Sequence, residues 1–123
     1  MFGVLYGADG TAREALEAVA REFSPRLEVH GARELSLDLS GLARLFGDAR
    51  AIAHELRRTA ADRRLRVRVA IASTRTAARL VVRHRAGISV IEPGTERAAL
   101  ASLPLGLLAT LAKLLDLKRF RGA

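Results

Sequence analysis

Residues Glu34–Gly47 read ELSLDLSGLARLFG, and this stretch decides the architecture. Its first six residues alternate, with Leu35, Leu37 and Leu39 on one face and Glu34, Ser36 and Asp38 on the other. Side chains of a strand point to opposite faces in turn, so the pattern predicts a strand with one face in the core and one turned away from it. Ser40-Gly41 supplies a turn, and Leu45-Phe46-Gly47 a hinge before the next element. There Asp48 is a candidate cap for the free amides of a helix start, and Ala49, Ile52, Leu56 and Ala60 recur at helical spacing. The helix is expected to run to about Arg64.

Upstream, Thr11-Ala-Arg-Glu14 has capping-box spacing and is followed by Leu16, Val19, Ala20 and Phe23 on one helical face. Ser24-Pro25 ends that helix, predicted over roughly 11–23, because proline disfavours helical backbone in the residue before it. Arg26–His30 reads as a short strand. Downstream, residues 66–72 alternate again, Val67, Val69 and Ile71 inward against Arg66, Arg68, Ala70 and Ala72 outward. Ser73 or Thr74 caps a further helix with Ala77, Leu80 and Val81 buried, and Gly87 separates it from a strand over 88–91 that stops at Pro93-Gly94. The order helix, strand, strand, helix, strand, helix, strand predicts an α+β fold, a mainly antiparallel sheet with helices on one face. The opposite, uncovered face is then expected to carry Glu34, Ser36, Asp38, Arg66 and Arg68.

Composition bounds the function. At 123 residues and 50% hydrophobic the chain can build one core, and it has no cysteine for disulfides or thiolate metal sites. The N-terminal MFGVLYGADG is short and Gly-interrupted, unlike a signal peptide, and no apolar run approaches the roughly 20 residues of a membrane span. The expectation is a cytoplasmic protein without membrane contact. The net charge of +8 is unevenly spread: twelve arginines lie between Arg44 and Arg85 against only Asp48, Glu55 and Asp62. Such a field attracts polyanions, nucleic acid first among them, although solvated helix faces explain part of it. With aromatics at 4%, base stacking has few platforms. His30, His54 and His84 lack metal-ligand spacing, and Gly3, Gly7 and Gly10 do not form a phosphate loop.

The strand, the Leu-Asp-Leu-Ser-Gly turn at 37–41 and the following Leu-Phe-Gly together resemble the palm of the Y-family (translesion) DNA polymerases. REFSPRLEVH at 21–30 is similar to the helix end, Ser-Pro break and strand of the family's ImuB-type branch, which keeps the palm but has lost polymerase chemistry. RVRVAIASTRTAARLVVRHRAGISVIEPG at 66–94 resembles the family's strand, turn, Ala-rich helix and final strand, and ALASLPLGLL at 99–108 its exit towards the thumb. The resemblance covers roughly residues 15–108 and rests on the order of these motifs more than on any one. It implies a polymerase palm with a ferredoxin-like core over 1–103, and a linker with the start of a truncated thumb-like helical region over 104–123. Residues 1–10 do not resemble the family's first palm strand, so the sheet is expected to be incomplete at its N-terminus, with an exposed edge that promotes self-association.

The family's chemistry needs two divalent cations held by carboxylates. Aligned on the turn, Gly31-Ala32-Arg33-Glu34 falls on the family's Ser-Ile-Asp-Glu motif: Glu34 keeps the glutamate, as a vestigial candidate, and Arg33 replaces a metal-binding aspartate. A cation there repels metal ions, so no catalytic residue, metal or other cofactor is assigned. Asp38 reads as a residue that organises the turn. Arg66 and Arg68 on the open face, with Arg75 and Arg79 near the family's lysine positions, are the candidate DNA-binding residues. The reading is a non-catalytic accessory homologue in DNA repair and translesion synthesis. Its implied partners are DNA and, in the full-length family, an error-prone replicative-type polymerase, a RecA-like accessory protein and a sliding clamp. Two alternatives stand beside it: a catalytic polymerase fragment using Mg²⁺, and an unrelated small α+β binding domain.

Overall fold

The structure is a computed structural model and describes residues 1–101; the linker and thumb-like region expected over 104–123 lies outside them. The elements are β1 (Phe2–Gly7), α1 (Arg13–Arg21), β2 (Leu27–Val29), β3 (Glu34–Asp38), α2 (Ala43–Phe46), α3 (Ala49–Asp62), β4 (Val67–Ala72), α4 (Arg75–Val82), β5 (Ile88–Val90) and α5 (Glu96–Ala101). The sheet order is β2-β3-β1-β4-β5, antiparallel throughout except for the parallel β4–β5 pair. Leaving aside the short α2, the run β1-α1-β2-β3-α3-β4 is the split β-α-β-β-α-β arrangement, to which α4 and β5 add one parallel step.

The N-terminus departs from expectation. Residues 2–7 form the central strand, paired with β3 on one side and β4 on the other. The segment FGVLYG hides this role because both its faces are covered, so it lacks the polar alternation of a half-exposed strand. Val4 and Leu5 are fully buried in different cores. Glycine is required at two positions by close approach: a Cβ on Gly3 would meet Leu39 Cδ1 at 2.8 Å, and one on Gly7 would meet the Thr11 side chain at 2.8 Å. The sheet edges are therefore β2 and β5, three residues each. Short edge strands offer little template for pairing, which removes the reason given for self-association.

Helices lie on both faces rather than one. Leu16, Val19 and Ala20 of α1 and Ile52, Ala53, Leu56 and Ala60 of α3 pack on Leu5, Leu35, Leu37, Val69 and Ile71. Across the sheet, Ala77, Ala78, Val81 and Val82 of α4 pack on Val4, Ala70 and Ala72, with Ala99 and Leu100 of α5 alongside. The parallel β4–β5 pair shows how α4 is connected. It needs a crossover connection, and α4 supplies that by lying over the face opposite α3. The α+β class and the mainly antiparallel sheet stand, but the polar face of β3 is not open.

Local signals were met in part. Asp48 caps α3, accepting from the Ala51 amide at 2.9 Å, and Thr74 caps α4, accepting from the Ala77 amide at 3.2 Å. The capping box at Thr11 does not form. The Thr11 hydroxyl donates to the Ala8 carbonyl at 2.7 Å, and α1 starts without a side-chain cap.

If β1 is the central strand, its buried side chains carry core stability. Leu5→Ala is expected to cost about 2–5 kcal/mol in urea denaturation, while Leu45→Ala, at a side chain 78% exposed, should change stability by no more than about 0.5 kcal/mol. Equal effects from the two substitutions would contradict the central placement.

Candidate functional site

Strand registry builds the site from the polar face of the sheet. Tyr6 of β1 lies opposite Glu34 of β3 and opposite Arg68 of β4, so the three share one cross-strand row on the α4 side. In the next row Val4 lies between Ser36 and Ala70, and Glu28 of β2 flanks Ser36. Over these rows runs a stripe of arginines from α4: Arg75, Arg79 and Arg83 recur every four residues, which brings them to one side of the helix and its C-terminal cap.

Glu34 is the centre of this layer. Its carboxylate is only 4% exposed, yet both oxygens are satisfied: Arg79 Nε donates to Oε2 at 2.5 Å, and Arg83 donates to Oε1 through Nη2 at 2.6 Å and Nε at 3.2 Å. A buried carboxylate carries a large desolvation cost unless it is paired and hydrogen-bonded, and two guanidinium groups meet that condition here. Arg75 repeats the motif one turn earlier, 3.3 Å from Glu28 and stacked over the Phe2 ring at 4.9 Å. Between the two pairs, His30 Nε2 shares a 2.8 Å hydrogen bond with Ser36 Oγ. Burial, followed by the positive charge of Arg79, lowers the His30 pKa from its ordinary value. It therefore sits beside Glu28, 3.9 Å away, as a neutral ring near neutral pH rather than an ion-pair partner.

The turn residue Asp38 has a separate local role. Its carboxylate accepts from the Ser40 amide at 3.0 Å and the Ser40 hydroxyl at 2.6 Å, and these bonds hold its pKa below the usual carboxylate value. Asp38 thus organises the turn, as its place in the sequence suggested.

Where α4 ends, the polar face opens. A cleft of about 470 Å³ lies beyond the helix, lined by Tyr6, Asp9, Arg33, Arg66, Arg68 and Arg83 together with nearby backbone. Arg33 is tied to this lining by several contacts. It lies 2.6 Å from Asp9, donates to the Tyr6 hydroxyl at 3.2 Å, and its guanidinium carbon stands 5.1 Å from the Tyr6 ring centre. Arg68 donates to the Arg83 carbonyl at 3.0 Å. Arg66 is exposed, and its side chain has no hydrogen bond or ion pair among the described residues.

The four arginines singled out in the sequence therefore divide. Arg66 and Arg68 line the cleft, whereas Arg79 is taken up by Glu34 and Arg75 by Glu28. Sequence reasoning missed Arg83, Tyr6 and Asp9. The available signal was the four-residue spacing of Arg75, Arg79 and Arg83 opposite the acidic residues of two short strands, Glu28 and Glu34.

The residues do not fit the divalent cations that the polymerase chemistry requires. Glu34 is consumed by guanidinium groups, Arg33 brings positive charge to the position aligned with a metal-binding aspartate, and β1 carries no carboxylate. Among the described residues no group of three or more His, Cys, Asp or Glu side chains could hold a metal ion. Nor is any helix among them long and apolar enough to cross a membrane.

Comparison with known proteins agrees with the topology. Over 101 residues the chain is 35% identical to Protein ImuB from two strains of Caulobacter vibrioides. The match covers 82% of this chain and 22% of those relatives, so the chain spans about a fifth of their length. A family model described as impB/mucB/samB matches residues 9–83, from just after β1 through α4 and more than half of the chain. The chain belongs to the impB/mucB/samB family, the Y-family polymerase domain, and is homologous to ImuB over most of its length.

Proposed function

We propose that this chain is a non-catalytic palm module of DNA repair and translesion synthesis, an ImuB-like protein that contacts DNA through its basic surface and takes no part in nucleotide addition. The observation that carries the reading is the state of Glu34. The glutamate aligned with the family's catalytic pair is buried and held by Arg79 and Arg83, beside an arginine where the pair's aspartate is expected. A carboxylate in that state cannot serve two metal ions, and phosphoryl transfer in this family depends on them.

DNA contact is assigned first to Arg66 and Arg68, which are accessible at the end of the sheet. Arg75 and Arg79 add to the field there but are already paired, so their direct phosphate contact is secondary. The partners implied by homology to ImuB are an error-prone replicative-type polymerase, a RecA-like accessory protein and a sliding clamp, met in the cytoplasm. These belong to the proposal for the full-length protein.

Two measurements test the reading. On a primed template with Mg²⁺ or Mn²⁺, purified protein should give no nucleotide incorporation above a protein-free control. Template-directed incorporation that a folded Glu34→Gln variant loses would overturn the non-catalytic assignment. In filter-binding titrations from about 50 to 200 mM salt, affinity for DNA should be weak, independent of sequence and steeply salt-dependent. Replacing Arg66 and Arg68 by serine should reduce both the affinity and the salt slope, the slope by about 0.7–0.9 for each phosphate no longer neutralised. Replacing the exposed Arg57 and Arg58 of α3 should do less. Equal losses would mean that the charge acts as a diffuse field, and absence of binding at the lowest salt would remove DNA contact from the function of this chain.

A further inference from the structure

The cleft beyond α4 has a chemistry that the palm frame does not explain. Arg33, Arg66, Arg68 and Arg83 line one space of about 470 Å³, in which Asp9 is the one acidic lining residue, while Arg83 also pairs with Glu34 beside it. Like charges gathered into a concave space repel one another, and an anion bridging them relieves that repulsion. The Asp9 carboxylate is poorly placed to do so. Its side chain is 99% exposed, and an ion pair with so solvated a group contributes little, about 0–1 kcal/mol.

Donor geometry narrows the ligand. A guanidinium offers five N–H donors in a planar fork that matches phosphate oxygens, and it stays charged at any ordinary pH. Arg66 has all five free of partners among the described residues, while Arg68 and Arg83 each spend only part of theirs on a carbonyl or on Glu34. The Tyr6 hydroxyl, already accepting from Arg33, can donate into the same space. The volume lies within the roughly 300–1,000 Å³ of small-ligand pockets.

We propose that this cleft is a metal-independent phosphate site: its lining arginines, Arg33 and Arg66 foremost, hold a phosphoryl or diphosphate group without a divalent cation. The inference rests on the residues of the cleft. It deepens the DNA reading only through Arg66 and Arg68, which the two share. The phosphate can come from a nucleic-acid strand or from a free polyphosphate.

Calorimetric titration of the full chain with pyrophosphate in EDTA tests the site directly. The expected result is saturable binding that Mg²⁺ weakens, because Mg²⁺ neutralises the ligand. Arg33→Gln and Arg66→Gln should each weaken it at least tenfold, while Arg57→Gln on the far side should leave it unchanged. Arg66 has no side-chain partner among the described residues to lose, so its variant keeps the test valid if Arg33→Gln disturbs the fold. No saturable binding in EDTA, binding that requires Mg²⁺, or equal affinity in wild type and Arg66→Gln would overturn the proposal. A single-stranded oligonucleotide that displaces pyrophosphate identifies the strand as the source, and one that binds without displacing it identifies a free polyphosphate. DNA binding that persists when pyrophosphate fails would refute this site and leave the DNA reading intact.

Discussion

The clasp of Arg79 and Arg83 on Glu34 is the interaction on which the arrangement of this molecule turns. Without it, α4 would cover the polar face of β3 with a desolvated carboxylate beneath it, at a cost of several kcal/mol. With it, the same carboxylate fixes the position of α4 over the sheet. The apolar stripe of α4 supplies most of the contact, from Ala77, Ala78, Val81 and Val82 onto Val4, Ala70 and Ala72. To this packing the clasp adds direction, three hydrogen bonds to one carboxylate of β3.

That placement also determines where the molecule is open. The α4 helix covers the sheet as far as the row of Glu34, Tyr6 and Arg68, and beyond its end the face becomes the arginine cleft. The covered and open portions thus come from one alternating set of side chains, divided by the length of a single eight-residue helix. On the reading proposed above, the family's sheet is kept while its charge logic is inverted. Where the family's chemistry calls for carboxylates that gather cations, this chain gathers guanidinium groups, which suit anions.

Much of this was legible in the sequence. The alternation of Glu34–Asp38 and of Val67–Ala72, the caps Asp48 and Thr74, and the turn around Asp38 all formed as their chemistry dictates. Two features were not legible, for physical reasons. The central strand Phe2–Gly7 is covered on both faces and carries glycines where Leu39 and Thr11 approach, so it shows neither alternation nor strong strand propensity. The side of the sheet taken by α4 is a tertiary choice that local pattern does not encode. The consequence for the site is direct. Arg68 does lie on the face of Glu34, as its alternation implies, with Arg66 beside it in the cleft, but Glu34 and Ser36 on that face are buried, and Arg79 is the partner of the very carboxylate that the resemblance aligns with a metal ligand.

The central claim is that Glu34 serves as the buried anchor of an arginine clasp. A double-mutant cycle between Glu34→Gln and Arg79→Gln, followed by urea denaturation, tests it most directly. Each single substitution is predicted to cost about 3 kcal/mol, at the low end for a broken buried ion pair because Arg83, with its side chain 42% exposed, keeps access to water. The double variant should cost little more than either single one, giving a coupling energy on the order of 2–3 kcal/mol. Additive costs, or an unchanged stability in Glu34→Gln, would contradict the clasp and return Glu34 to the open face of the sheet.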